Sequence, residues 1–250
     1  MCTLTIVSTA DGLAITMNRD EQRSRSEIGT LLSGWSEEHQ LSYSYPLDGL
    51  HGGTWMGANS HGIVLALLNR YQNPTRPDAE SRGLIISELV RLPSLDTMLN
   101  TLREGFGQRC NPFELILIGD ARVVECRWNG SDHSFHDHDS AKPRLFTSSS
   151  VNAESTATLR GDLFQAWLAG NRSGVVTAET ILEELHLRQE LDDPSSSILM
   201  SREHSHTKSI SQVLVHPDYL EFLYLTEAML PAFAAARSVD NLPRHRINIA

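Results

Sequence analysis

Met1-Cys2-Thr3-Leu4-Thr5-Ile6-Val7 opens the chain with a β-type run that begins at its second residue. Loss of Met1, expected before a small second residue, would leave Cys2 with both a thiol and a free α-amine. The thiol is the strongest side-chain nucleophile near neutral pH, with an unperturbed pKa of about 8.5. An α-amine of pKa roughly 7.7–8.0 could take its proton without a separate histidine. The alternative for the same residue is a small hydrophobe in a buried edge strand.

Working outward, Cys2–Ser8 and Leu13–Asn18 read as strands joined by Thr9-Ala10-Asp11-Gly12, whose Asp-Gly pair marks a hairpin. Asn18-Arg19-Asp20-Glu21 closes the second strand where the partner of the Cys2 strand would end. A guanidinium beside a thiol stabilises the thiolate, and a carboxylate beside an α-ammonium holds and orients it. A solvated charged loop is the alternative. From Arg19 to about Gln40 the chain is too charged for a core strand and reads as an irregular loop.

Gly52 to Asn59, Ser60-His61-Gly62 and Ile63–Asn69 form a second hairpin, its apolar second strand buried on both faces. Asn73-Pro74-Thr75-Arg76-Pro77 breaks the chain before a helix over Gly83–Arg91, with Leu84, Ile85, Leu89 and Val90 on one face. Ser94 caps a second helix that runs to about Arg103. Phe113–Ile118 and Val123–Trp128 are strands, and Asn129-Gly130 turns the chain into Ser131–Phe135. A short strand at Leu145–Ser149 precedes helices over Ser155–Ala169 and Ala178–Leu187. Strands at Ser197–Met200, Ser209–Val215 and Tyr219–Leu225 follow. Strands, helices, strands, helices, strands, with no repeat or linker, predict one layered α+β domain over residues 1–250.

A net charge of −10 argues against binding a phosphate backbone, which needs clustered Lys and Arg. No apolar run approaches the roughly 18–20 residues of a membrane span. No basic stretch precedes an apolar core at the N-terminus, and the sparse cysteines, Cys2, Cys110 and Cys126, suit a reducing compartment. A cytoplasmic location is therefore expected. So is a small-molecule partner, with neither cofactor nor metal.

Met1-Cys2-Thr3, Asn18-Arg19-Asp20-Glu21, Gly52-Gly53-Thr54-Trp55-Met56-Gly57 and Gly62–Asn69 together resemble the NRDE family, also called the transport and Golgi organisation 2 family. Ser81-Arg82-Gly83, Asn111-Pro112-Phe113-Glu114-Leu115-Ile116 and Ser209-Ile210-Ser211-Gln212-Val213 extend the resemblance over essentially the whole chain. The family looks like a branch of the N-terminal nucleophile (Ntn) hydrolases, similar to the penicillin V acylase and bile salt hydrolase group. That resemblance implies a four-layer αββα sandwich with Cys2 as nucleophile. It also implies Arg19 and Asp20 beside Cys2, and Asn69 as an oxyanion donor. Two positions depart from the acylase pattern. Ser148, in Phe146-Thr147-Ser148, stands where those enzymes carry a second oxyanion asparagine. Gln212 stands where they carry an arginine.

Asn18, Trp55, Ser148, His204 and Gln212 are the expected substrate contacts. Tyr43, Tyr45 and Met56 could join Trp55 in an acyl pocket, although packing explains such side chains equally well. His204 lies in Arg202-Glu203-His204-Ser205-His206, which a surface turn also explains. His133, His136 and His138 alternate with Asp132, Asp137 and Asp139. Strand alternation would split these histidines between two faces, so the segment reads as a solvated acidic loop rather than a metal centre. Ser81-Arg82-Gly83 could hold an anion at a helix start or simply form the cap. Two functions follow: a cysteine amidohydrolase cleaving a linear amide, or a non-catalytic carrier of a hydrophobic ligand such as an acyl group or haem.

Overall fold

The computed structural model describes residues 2–171, 174–190, 192–236, 242 and 244–249. Met1, whose removal the opening of the chain raises as a question, lies outside the described residues. The elements run β1 (Cys2–Ser8), β2 (Leu13–Gln22), β3 (Glu27–Ser36), β4 (Leu41–Asp48), β5 (Met56–Asn59) and β6 (Val64–Asn69). Helices α1 (Gly83–Leu89) and α2 (Leu95–Arg103) lead to β7 (Phe113–Gly119), β8 (Arg122–Trp128), β9 (His133–His138) and β10 (Arg144–Ser148). Then come α3 (Ala153–Gly170), α4 (Ala178–Ile181) with a π-helical turn over Leu182–His186, β11 (Ser205–Val215), β12 (Tyr219–Leu225), α5 (Leu230–Ala236) and β13 (His245–Asn248).

The chain divides into two units. Met1–Glu27, Lys142–His216 and Glu221–His245 form the first, and Ile28–Ala141, Pro217–Leu220 and Arg246–Ala250 the second. One sheet has the strand order β10-β1-β2-β11-β12-β13, the other β3-β4-β5-β6-β7-β8-β9. In the first unit Val7, Ala14 and Leu214 pack against Phe164 and Trp167 of α3 and Ile181 of α4. In the second, Leu65, Leu67, Leu115 and Leu117 face Ile85, Ile86 and Leu89 of α1 and Met98 and Leu102 of α2. Each sheet thus buries one face under its own helices.

Both predicted hairpins form. Cys2 to Ser8 pairs antiparallel with Arg19 to Leu13, and Met56 to Ala58 with Ala66 to Val64. Ser94 accepts the Thr97 N–H at 3.1 Å and starts α2 as its cap. In α1 the buried stripe is Ile85, Ile86 and Leu89, with Leu84 turned to solvent.

Three segments depart from expectation. The stretch from Arg19 to Gln40 is not a loop: β2 runs to Gln22 and β3 follows. Charge is tolerated in β2 because Asp20 is paired below the sheet, and β3 at a sheet edge can turn polar residues outward. Ser197 to Met200 forms no strand. Its carbonyls at Ser197, Ile198 and Leu199 accept from the side chains of Arg160, Asn18 and Gln189 instead of a ladder. The segment of alternating His and Asp is the edge strand β9, not a loop.

The glycines of two quoted motifs meet at a close crossing. The Thr54 N–H donates to the Gly83 carbonyl at 3.0 Å. A methyl group on Gly53 would lie 2.5 Å from the Gly83 carbonyl carbon. Ser81-Arg82-Gly83 therefore packs against the Gly-Gly-Thr segment at the start of α1. Gly53→Ala is expected to lower stability by about 1–3 kcal/mol, the usual cost of overpacking. Urea titration checks this, and an unchanged midpoint would show that the backbone gives way freely.

Candidate active site

Register places Cys2 opposite Ser148 on one side and Arg19 on the other, and Arg19 opposite Ser209. Paired residues share a face, so Ser148, Cys2, Arg19 and Ser209 form one row across β10, β1, β2 and β11. Adjacent strands stand about 4.8 Å apart. The row therefore puts a thiol between a hydroxyl and a guanidinium, with a second hydroxyl beyond. Among the described residues, neither the Ser148 nor the Ser209 hydroxyl oxygen, both buried, has a hydrogen-bond partner. Such orphaned hydroxyls are unusual in a folded interior. Arg19 lies 3.7 Å from Glu21 on the same face of β2.

Cys2 is 7% exposed. Burial pushes its thiol up from the ordinary cysteine value, and the negative charge of Asp20 adds to this. The Arg19 guanidinium and the backbone N–H of Asp20, bonded to the sulfur, act in the opposite direction.

The other face of the same strands lies under the helices and is polar. Arg160 of α3 and Asp20 form a fully buried ion pair at 3.2 Å. Thr207 donates to the second Asp20 oxygen at 2.7 Å. Arg160 also donates to the hydroxyls of Thr3 and Thr147 and the carbonyls of Ser196 and Ser197. One row further, the Asn18 amide donates to the carbonyls of His186 and Ile198, both at 2.9 Å. Those partners can only accept, so the Asn18 oxygen must face His186 Nδ1, 2.6 Å away. Nδ1 therefore carries the imidazole proton. Nε2 in turn accepts from the Thr5 hydroxyl at 2.7 Å. Burial lowers the pKa of this neutral imidazole to about 3.

Cys2, Arg19 and Ser148 are thus brought together, and Asp20 meets Cys2 through its backbone. Asn18 and Gln212 do not join the row. Both sit on the helix-covered face, where Gln212 donates to Thr16 and the Ala178 carbonyl and accepts from Arg244. Nor does His204, whose side chain is 88% exposed beside Glu203. Asn69 and Trp55 belong to the second unit. Asn69 ends β6 opposite Phe113 and donates to the Tyr71 hydroxyl at 3.0 Å, and Trp55 is buried just before β5. In that unit His138 bonds Glu125, and the His133 ring lies tilted against Trp128, centroids 4.7 Å apart. No group of three or more His, Cys, Asp or Glu is arranged to hold a metal ion among the described residues.

Sequence reasoning missed Arg160, Thr3, Thr147, Thr207 and Ser209. Arg160 had a detectable signal: Thr156, Arg160, Phe164 and Trp167 make the buried stripe of α3. An arginine in such a stripe demands a buried acid, and Asp20 at the end of an apolar strand is the complement.

A family model described as transport and Golgi organisation 2 matches residues 1–228. No curated protein matches the chain in sequence. Its fold is similar to a mutant conjugated bile acid hydrolase from Clostridium perfringens, at TM-score 0.53 and 10% identity, covering 100% of this chain and 92% of that one. It is also similar to penicillin V acylase from Agrobacterium tumefaciens, at TM-score 0.51 and 9% identity over 100% and 86% of the two chains. The Caenorhabditis elegans ortholog of N-acylethanolamine-hydrolyzing acid amidase gives TM-score 0.51 and 12% identity over 85% and 92%. At such identities the likeness shows the fold alone: the α+β sandwich of the Ntn hydrolases.

The His186 pKa of about 3 lies below the ordinary 6.5, so between these values the unfolded chain binds a proton that the native chain does not. Stability must then fall as pH drops through this window, by up to about 1.4 kcal/mol per pH unit. Glu114, raised by burial beside Glu125, acts in the opposite sense. Comparison with His186→Gln cancels that contribution. Urea midpoints from pH 7 to 4.5 should decline less steeply in His186→Gln, and parallel declines would refute the assignment.

Proposed function

The chain belongs to the transport and Golgi organisation 2 family, and from the row that sets Cys2 between Ser148 and Arg19 we propose that it is an Ntn-type amidohydrolase acting on a linear amide. The single observation that carries this reading is the pairing of Cys2 with Arg19 across β1 and β2.

In this mechanism Met1 is removed and the α-amine of Cys2 takes the thiol proton. The sulfur attacks the amide carbon, and the carbonyl oxygen becomes an oxyanion. Ser148 donates to it from the neighbouring strand, and the resemblance to the acylases adds the Asn69 amide as a donor. The α-ammonium returns its proton to the leaving nitrogen as the C–N bond breaks, which leaves a thioester. Water, deprotonated by the same amine, then releases a carboxylic acid and restores the thiol. Arg19 favours the thiolate. A carboxylate can accept about four hydrogen bonds, so Asp20 can orient the α-ammonium while held by Arg160 and Thr207. The family's Ntn-hydrolase fold and the absence of any helix long and apolar enough to cross a membrane, among the described residues, suit a small-molecule substrate met in water. A cytoplasmic location belongs to the same proposal.

The burial that raises the Cys2 thiol favours a second reading, in which the same fold carries a hydrophobic ligand without turning it over.

Intact mass of the purified protein should show Met1 absent, and Cys2→Ala should abolish hydrolysis of an N-acyl amide panel with the circular dichroism spectrum unchanged. Equal turnover by Cys2→Ala would refute the mechanism. Ligand retained by Cys2→Ala, with no acyl-enzyme formed by the wild type, would select the carrier. Asn69→Ala should lower kcat by about 10²–10³-fold, the usual cost of an oxyanion donor, measured under substrate saturation.

A further inference from the structure

Arg160 is wholly buried, and its guanidinium has five N–H donors with no acceptor. Five acceptors meet them: the Ser196 carbonyl at Nε, the Thr3 and Thr147 hydroxyls at Nη1, and Asp20 Oδ2 with the Ser197 carbonyl at Nη2. Because arginine only donates, it leaves the hydroxyl protons of Thr3 and Thr147 for other acceptors. The Thr147 hydroxyl donates to the carbonyl of Cys2 at 3.2 Å. The Thr3 hydroxyl, 3.2 Å from Thr147 Oγ1, can then donate to Thr147. Every proton in this chain of bonds points from Arg160 towards the Cys2 carbonyl.

A second arm leaves the same guanidinium. Arg160 and Thr207 each hold one oxygen of Asp20, and the Asp20 backbone N–H is bonded to the Cys2 sulfur. The side chains doing this lie on the face opposite the Cys2 thiol, so none obstructs a ligand approaching it. A purely stabilising ion pair would need the two threonine hydroxyls as acceptors, but neither the onward bond from Thr147 to the Cys2 carbonyl nor the bond at sulfur.

We propose that Arg160 is a positioning residue for Cys2, fixing its carbonyl through Thr147 and its sulfur through Asp20 from behind the sheet. The proposal rests on Cys2 being the reacting residue. Arg160 acts on no substrate atom. It sets the reactivity of the thiol by holding the backbone on both sides of it, while Arg19 and Asp20 are among the charges that act on the thiol.

The test is the pH dependence of iodoacetamide modification at Cys2, read by peptide mass spectrometry on the full chain after its N-terminus is established by intact mass. Cys110 and Cys126 serve as internal controls. Thr147→Val keeps the shape of the side chain and removes the relay hydroxyl, whereas Thr147→Ser keeps the hydroxyl. Thr147→Val and Arg160→Lys should move the midpoint of the Cys2 profile upward, slowing modification near pH 7 by about 3–10-fold, tenfold being one pKa unit. Thr147→Ser should retain the wild-type profile, and the control cysteines should not change. If Arg160→Lys fails to fold, Thr147→Val alone decides. A folded Thr147→Val with the wild-type profile overturns the proposal, as does a shift shared by Thr147→Ser. A shifted Thr147→Val profile in a protein that cleaves no amide supports positioning and counts against the amidohydrolase reading, so the two fail separately.

Discussion

A guanidinium buried among apolar side chains is tolerated only where every donor is met, and the pairing of Arg160 with Asp20 is the constraint around which the first unit is arranged. Removing two charges from water costs several kcal/mol per ion, and their attraction offsets this only with further hydrogen bonds. Those further bonds reach far in sequence. Arg160 draws the carbonyls of Ser196 and Ser197 onto itself, which keeps that segment out of the sheet. Thr207, which bonds Asp20, lies beside the register shift between Thr207 and Ser209 in β11. The shift in turn sets Ser209 opposite Arg19.

The sheet of the first unit consequently has two polar characters on its two faces. Under the helices, Asp20, Asn18, Thr3, Thr5 and Gln212 are bonded to one another's neighbours and to helix side chains, and the fixed tautomer of His186 is one product of that closure. On the opposite face the Cys2 row keeps two hydroxyls without partners among the described residues. A braced face behind hydroxyls that have no partner among the described residues suits a preorganised site, since groups aimed at developing charge must not reorganise when it appears. The second unit is built differently. Its helix-facing core is largely apolar, and its tightest constraint is steric, at the crossing of Gly53 and Gly83.

Similarity at 9–12% identity to hydrolases of bile acid conjugates, penicillin V and N-acylethanolamines places the fold and leaves the chemistry to the site. Here the site differs in kind from the acylase pattern that the sequence resembles. Ser148 presents a hydroxyl where that pattern has an amide, and Gln212 is a brace under α4, bonded to the Ala178 carbonyl, rather than a charge near the thiol. Positive charge beside the Cys2 strand comes from Arg19 on one face and Arg160 on the other.

The hairpin of β1 and β2, the cap at Ser94 and the apolar strands β6 to β8 were legible because their signals are local: alternation, a turn dipeptide, a capping side chain. The order of Cys2, Asn18 to Glu21 and the glycine motifs likewise carried the family. Asn18 and Gln212 read as substrate contacts and not as braces, because their partners lie on helices that no local pattern connects to them. Arg19 to Gln40 read as a loop because its charges were counted as solvated. Only the tertiary structure supplies the partner for Asp20, 140 residues away. The sequence by itself determined which residues alternate and, through the Asp-Gly turn, that the partner of the Cys2 strand ends near Asn18 to Glu21. The tertiary structure decided which charges are buried, since the free energy of a buried charge depends on what a distant segment brings to meet it.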